Sequence, residues 1–298
     1  MGVGILMCFL GALAFGVAAC VSKSAEKRNC SAPVLVTYLF GWSCAVMLAR
    51  TLATGEGFHL PTKAVWAAVA FGICAAVAFL AFQTSISLGK VTVAWLMMNL
   101  SAGVPALVSV WVYQEKLTPL KLAAYAIACG AVACLFHGKR TEQKEASRSG
   151  GTMRGKEHLL WFALMVVILL TNGMSSFGLK MLTAMSLPGD AKFPYLTLWY
   201  GAGLVIIALP AVIKRVAFGS KELGWGLALA LLSIGGQVAM AIALDSKVPG
   251  NVVFPVTIGG GILVVVIAGR LFFGERLNRP TTGGIALGFL ATILLGIS

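Results

Sequence analysis

Along this chain, long apolar runs alternate with short polar stretches. The runs fall at 2–20, 32–53, 64–88, 91–113, 118–136, 158–181, 193–213, 225–244, 251–272 and 280–298. Each is long enough to cross a hydrocarbon core of roughly 30 Å as a helix. The pattern predicts ten transmembrane helices and no strands. It also divides the chain into two groups of five, residues 1–136 and 158–298, joined by a polar stretch at 137–157.

The two groups repeat one another. Tyr113-Gln114-Glu115-Lys116-Leu117-Thr118-Pro119 closes the fourth run, and Phe273-Gly274-Glu275-Arg276-Leu277-Asn278-Arg279-Pro280 closes the ninth, so that Glu115 aligns with Glu275 and Leu117 with Leu277. At the same spacing Phe40-Gly41 aligns with Tyr200-Gly201. Phe15-Gly16 with Lys23 aligns with Asn172-Gly173 with Lys180. A unit that crosses five times ends on the far side of the membrane, so its copy enters from the opposite face. This predicts two inverted five-helix repeats, the arrangement that supports alternating access around a midplane site.

Composition fits the same picture. Hydrophobic residues make up 59% of the chain and charged residues 11%, with a mean hydropathy of +0.92; a water-soluble globule of 298 residues needs more polar surface than that. The net charge of +13 is scattered between apolar runs and forms no aromatic-interleaved patch, which argues against nucleic acid as a partner. Most of the lysines and arginines follow odd-numbered runs, six of them in the 137–157 stretch. By the positive-inside rule that stretch is cytoplasmic and both termini are outside. Rich in Lys, Arg, Ser, Gly and Glu, it is expected to be a flexible linker.

The chemistry of catalysis is not visible in the runs. His59, His137 and His158 sit at edges or loops, and the seven cysteines have neither metal-ligand nor redox spacing. Gly150 to Lys156 nearly spells a phosphate-binding loop, but Glu157 stands where Ser or Thr must bind the metal. The sequence therefore predicts no catalytic residues, no cofactor and no bound metal, and the chain is not expected to be an enzyme.

In the first run of each half, an aromatic or amide residue next to Gly is followed seven residues later by Lys. Later in each half a Pro precedes a Gly-Glu-Arg-Leu-like turn. These are Phe15, Gly16, Lys23, Pro105, Glu115 and Leu117 in the first half, and Gly173, Lys180, Pro255, Gly274, Glu275 and Leu277 in the second. Together they resemble the EamA-type members of the drug/metabolite transporter superfamily. Phe15 and Asn172 stand where the family often has Trp, and Gln114 replaces the turn glycine. The resemblance implies a transporter in a bacterial inner (plasma) membrane. Its central cavity would be lined by the first, third, fourth, sixth, eighth and ninth helices. The family is commonly drawn with cytoplasmic termini, opposite to the charge count.

Polar residues deep in those runs are the candidate substrate contacts: Gln83, Asn99, Asn172, Gln237 and Thr257, with Trp95 as the aromatic expected to face the cavity. At roughly 1.5 Å per residue, Asn99 lies about 12 Å inside its run, where an amide has to face protein, water or solute. Trp and Tyr in the second and seventh runs, Trp199 and Tyr200 among them, are expected as interfacial anchors. Lys23 and Lys180 are candidate gating or charge-attracting groups; Pro105, Pro255 and Gly260 are candidate hinges. Glu115 and Glu275 are expected to tie down basic residues or helix starts.

Every Asp and Glu falls in a loop or at a run end. A buried carboxylate for a cationic substrate is therefore missing, and a small neutral, zwitterionic or anionic metabolite fits better. The alternative is a passive facilitator, with a membrane-embedded enzyme or a structural membrane protein more remote. Lipid is the expected environment, and the small-residue face of the tenth run is a candidate homodimer contact.

Overall fold

The computed structural model describes residues 2–55, 58–114, 118–148, 155–185, 187, 191–213, 215–246, 248–249, 252–253 and 255–297. Among them the chain is all-helical. In order the helices are α1 (Gly2–Lys27), α2 (Ala32–Ala53), α3 (Thr62–Leu88), α4 (Val91–Leu100), α5 (Gly103–Val112), α6 (Pro119–Arg148), α7 (Gly155–Ala184), α8 (Lys192–Ile213) and α9 (Ser220–Asp245). A single π-helical turn (Pro255–Gly259), α10 (Gly261–Leu271) and α11 (Arg279–Ile297) complete the chain. Among the described residues, eight helical segments are long and apolar enough to cross a membrane, taking Val91–Val112 as one; Pro255–Leu271 and Arg279–Leu295 are apolar but shorter.

Two predicted runs are broken inside. The fourth splits at Ser101-Ala102 into α4 and α5, and the ninth, helical at Val252-Val253, passes through the π turn and resumes as α10 after Gly260. Pro105 lies in the first turn of α5. Having no N–H, it cannot return the bond that a continuous helix would give the Ser101 carbonyl. That carbonyl instead accepts from Val104 N–H at 2.9 Å, a tighter turn. Pro255 opens the π turn, and Gly260 joins it to α10.

The expected flexible linker is helical wherever it is described, which corrects that expectation. α6 continues through Arg148 and α7 begins at Gly155. Strong helix formers such as Lys139, Arg140, Glu142 and Ala146 carry the helix past the end of the apolar run. Glu115 and Leu117 lie outside the described residues.

The most extensive helix contacts join residues before 148 to residues after 155. α1 packs on α9 and α10, α3 on α7 and α8, α2 on α8 and α9, and α6 on α11. Ties at the ends follow the same habit. Glu275, after α10, accepts from Val91 N–H at 2.6 Å and from the Thr92 hydroxyl, so a carboxylate caps the start of α4. Glu222 of α9 accepts from Ser31 N–H at 3.1 Å ahead of α2.

Two glycines permit the closest approaches at the breaks. A Cβ on Gly16 of α1 would lie 2.9 Å from both the Gly261 carbonyl and Val264 Cβ; on Gly173 of α7 it would lie 2.7 Å from the Ser101 carbonyl and 2.4 Å from Val104 Cβ. The partners match in the same register as Glu115 and Glu275. Gly173→Ala is expected to lower stability by about 1–3 kcal/mol through overpacking. Gly224→Ala, at a position with open space around it, is expected to be neutral or slightly stabilising; thermal melts in detergent check both. Glu275→Ala is expected to cost about 1–3 kcal/mol by leaving the N–H groups of Val91 and Thr92 unmet, and the same melts read it.

Candidate functional site

Where α1, α3, α4, α7 and α9 converge, a cavity of about 50 Å³ remains, and a second lobe of about 30 Å³ adjoins it toward α8. Phe79, Asn172, Ser176, Gln237 and Met240 line both, so the two lobes form one space. Such volumes hold a few waters. Helices from both halves of the chain build the wall.

The α7 wall is polar because Asn172, Ser175 and Ser176 fall within one turn. Asn172 Nδ2 donates to Ser101 Oγ at 2.7 Å and to the Met98 carbonyl at 3.3 Å, bracing α7 against the break between α4 and α5. Ser176 Oγ donates to the Asn172 carbonyl. On α9, Gln237 reaches the space with no protein partner for its amide among the described residues. Beside it, Gly236 leaves room for the Phe15 ring, which a Cβ there would meet at 2.4 Å.

Aromatic rings form the rest of the wall. Trp95 and Phe82 meet edge to face with centroids 5.8 Å apart. Trp199 is held by a stacked Phe40 at 5.8 Å and by Tyr200 edge-on at 4.7 Å. Tyr200 is buried and shares a 2.9 Å hydrogen bond with Ser233. Trp199 and Tyr200 are therefore interior residues, which corrects their expected place at the membrane interface. Lys192 opens the same helix, at a position that usually faces water. It is instead buried against Asp245 of α9 in an ion pair.

Of the residues singled out in the sequence, Trp95, Asn172 and Gln237 lie together on the cavity wall. Gln83 lies behind it, its Nε2 donating to the carbonyl of Ser22, itself a wall residue. Asn99 is buried and off the wall, and neither atom of its amide has a partner. Thr257, in the π turn, is fully buried with its methyl against Gly11. Sequence reasoning passed over Phe79, Phe82 and Tyr195, whose periodicity is that of any packed helix face, and placed Trp199 at the interface.

No charged side chain lines either lobe among the described residues. Charge collects instead in an open basin at one end, where Lys23, Lys27, Lys90 and Arg276 face Glu142 and Glu275. Lys23 Nζ donates to the Ile86 carbonyl at 2.7 Å and pairs with Glu26 at 2.8 Å, tying α1 to the end of α3. Lys90 is held by Glu142 and the Arg276 carbonyl. At the opposite end Lys180 lies 5.9 Å from the Tyr113 ring.

Known proteins add to this geometry. Twenty-four solved chains match. One, described only as a protein crystal structure, has a TM-score of 0.64 at 16% identity, covering 98% of this chain and 96% of its own. At that identity the likeness is one of fold. No curated protein matches. Residues 2–137 match the EamA-like transporter family. With its apolar helices, this makes the protein a multi-pass integral membrane protein. That family lies within the drug/metabolite transporter superfamily, and the match spans residues 2–137, just under half of the chain.

Proposed function

We propose that the protein is a secondary transporter of a small metabolite, working by alternating access. In this reading ten spans form two inverted five-helix repeats, 1–136 and 158–298. The observation that carries it is the paired packing at the helix breaks. Gly16 seats on Gly261 and Val264 while Gly173 seats on Ser101 and Val104, and the cavity lies between these two seats. Helix interruptions of this kind, placed symmetrically about a central cavity, are where transporters bind solute and bend. Pro105, Pro255 and Gly260, at or beside the breaks, would serve as the hinges, and Trp95, Asn172 and Gln237 would contact the solute. A cavity of this size corresponds to a state closed around little more than water, so solute entry requires the halves to move apart.

Reciprocal accessibility tests the mechanism without a known substrate. The seven native cysteines are replaced by Ser or Ala and Gln237→Cys is introduced in proteoliposomes. A membrane-impermeant maleimide is then applied from either face. Labelling is expected from both sides, and a transported solute is expected to raise one rate while lowering the other. A facilitator with a continuous pore would instead show both rates falling together. In counterflow with a metabolite mixture inside the vesicles, labelled solute is expected to accumulate transiently. Gln237→Ala is expected to raise the half-saturation concentration about 3- to 10-fold, the value of one lost hydrogen bond.

A further inference from the structure

The cavity wall specifies more about the solute than its size. Two side chains on it are more than nine-tenths buried and carry hydrogen-bonding groups with no partner. These are Trp95, 5% exposed, through its indole N–H, and Tyr195, 1% exposed, through its hydroxyl. An unmet buried donor is costly, and native interiors rarely keep one without a reason. Both belong to walls of the same space, and Gln237 adds an unpartnered amide between the lobes. Each of the three can donate, so the solute they suit carries hydrogen-bond acceptors along its edge.

The rest of the wall sets the remaining chemistry. Aromatic faces reach it from α1, α3, α4 and α8. Trp199 is fixed by Phe40 and Tyr200, and Trp95 by Phe82, so the rings are in place before a solute arrives. Fixed rings favour a flat partner that can stack or meet them edge-on. Neither lobe offers a charged side chain among the described residues. A carboxylate or ammonium group would therefore enter unpaired, which a low-dielectric interior penalises heavily. The basin lysines do not relieve this, because Lys23 and Lys90 are already engaged by Glu26 and Glu142.

Building on the transporter reading, we propose that the substrate is an uncharged, planar, ring-bearing solute with hydrogen-bond acceptors on its edge, such as an aromatic carboxamide or a neutral heterocycle. This narrows the broader class of neutral, zwitterionic and anionic metabolites to its neutral aromatic part. Trp95 Nε1, the Tyr195 hydroxyl and the Gln237 amide are the groups that read the solute's edge.

Five probes separate the features: benzamide, benzoate, benzylamine and cyclohexanecarboxamide, which are of similar size, and propionamide, a smaller amide without a ring, titrated against the full chain in nanodiscs by calorimetry. Benzamide is expected to bind most tightly. Benzoate and benzylamine are expected to be weaker by at least about tenfold, and the two non-aromatic amides by about 3- to 10-fold. Trp95→Phe and Tyr195→Phe give the sharper test. Tyr195→Phe keeps its ring and removes only an unpartnered hydroxyl, so the ligand-free melting temperature is expected to stay level or rise while benzamide affinity falls several-fold; Trp95→Phe removes the indole N–H together with part of the ring, so affinity is expected to fall alongside a lower melting temperature. Equal or tighter binding of benzoate or benzylamine overturns the proposal. So does unchanged benzamide affinity in both Phe variants, or binding of none of the five. If the metabolite mixture still drives counterflow after such a result, only the substrate class falls; if counterflow is also absent, the transporter reading falls with it.

Discussion

Inside hydrocarbon, a backbone N–H or C=O without a partner costs several kcal/mol, so an interrupted helix is tolerated there only where protein covers it. That constraint organises this molecule. The Val91–Val112 segment, broken at Ser101-Ala102, has 82% of its apolar window buried, against 17–44% for the other seven long segments. All ten residues of α4 are buried. Coverage comes from α7, whose Gly173 lets the Ser101 carbonyl approach and whose Asn172 bonds Ser101 Oγ and the Met98 carbonyl. The ninth segment is covered the same way by α1 through Gly16. The cavity lies between these two protected breaks, because the helices that shield them are the ones that wall it.

Much of this was legible in the sequence, and the parts that were not share a cause. Apolar runs are set by length and hydropathy, so the rough bounds of the eight long apolar segments follow from the pattern of apolar residues. The expectation that Glu275 ties down a helix start matches its cap on α4. Trp95, Asn172 and Gln237 could be picked out because amides and indoles deep in apolar helices are few. The break at Ser101-Ala102 could not be, since Leu100, Ser101 and Ala102 are as compatible with a continuous span as their neighbours. The interior place of Trp199 was hidden because a Trp near a run end usually anchors at the interface. Lys192, which opens the same helix, stands where a residue usually faces water. Here Asp245, from a different run, neutralises it, and sequence order gives no sign of that pairing.

Asn99 illustrates how a polar residue can be deep without lining the site. Both atoms of its amide are buried and unpartnered, although it sits one turn from Trp95 on the same helix. Its neighbour Met98 reaches the wall instead. Depth along a helix says that an amide must answer to something; the helix's rotation decides to what, and rotation is set by packing between the two halves.

That packing also bears on how the protein is made. The largest helix interfaces pair an early helix with a late one, α1 with α9 and α6 with α11 among them. A chain synthesised from its N-terminus thus releases α1 to α6 into the bilayer before their principal partners exist. At typical elongation rates the remaining residues take on the order of 10–30 s to appear. During that interval the faces carrying Gly16 and Asn172's future partner Ser101 are open to lipid or to one another. The membrane's insertion machinery must shelter a half-built molecule whose polar faces have nothing yet to meet.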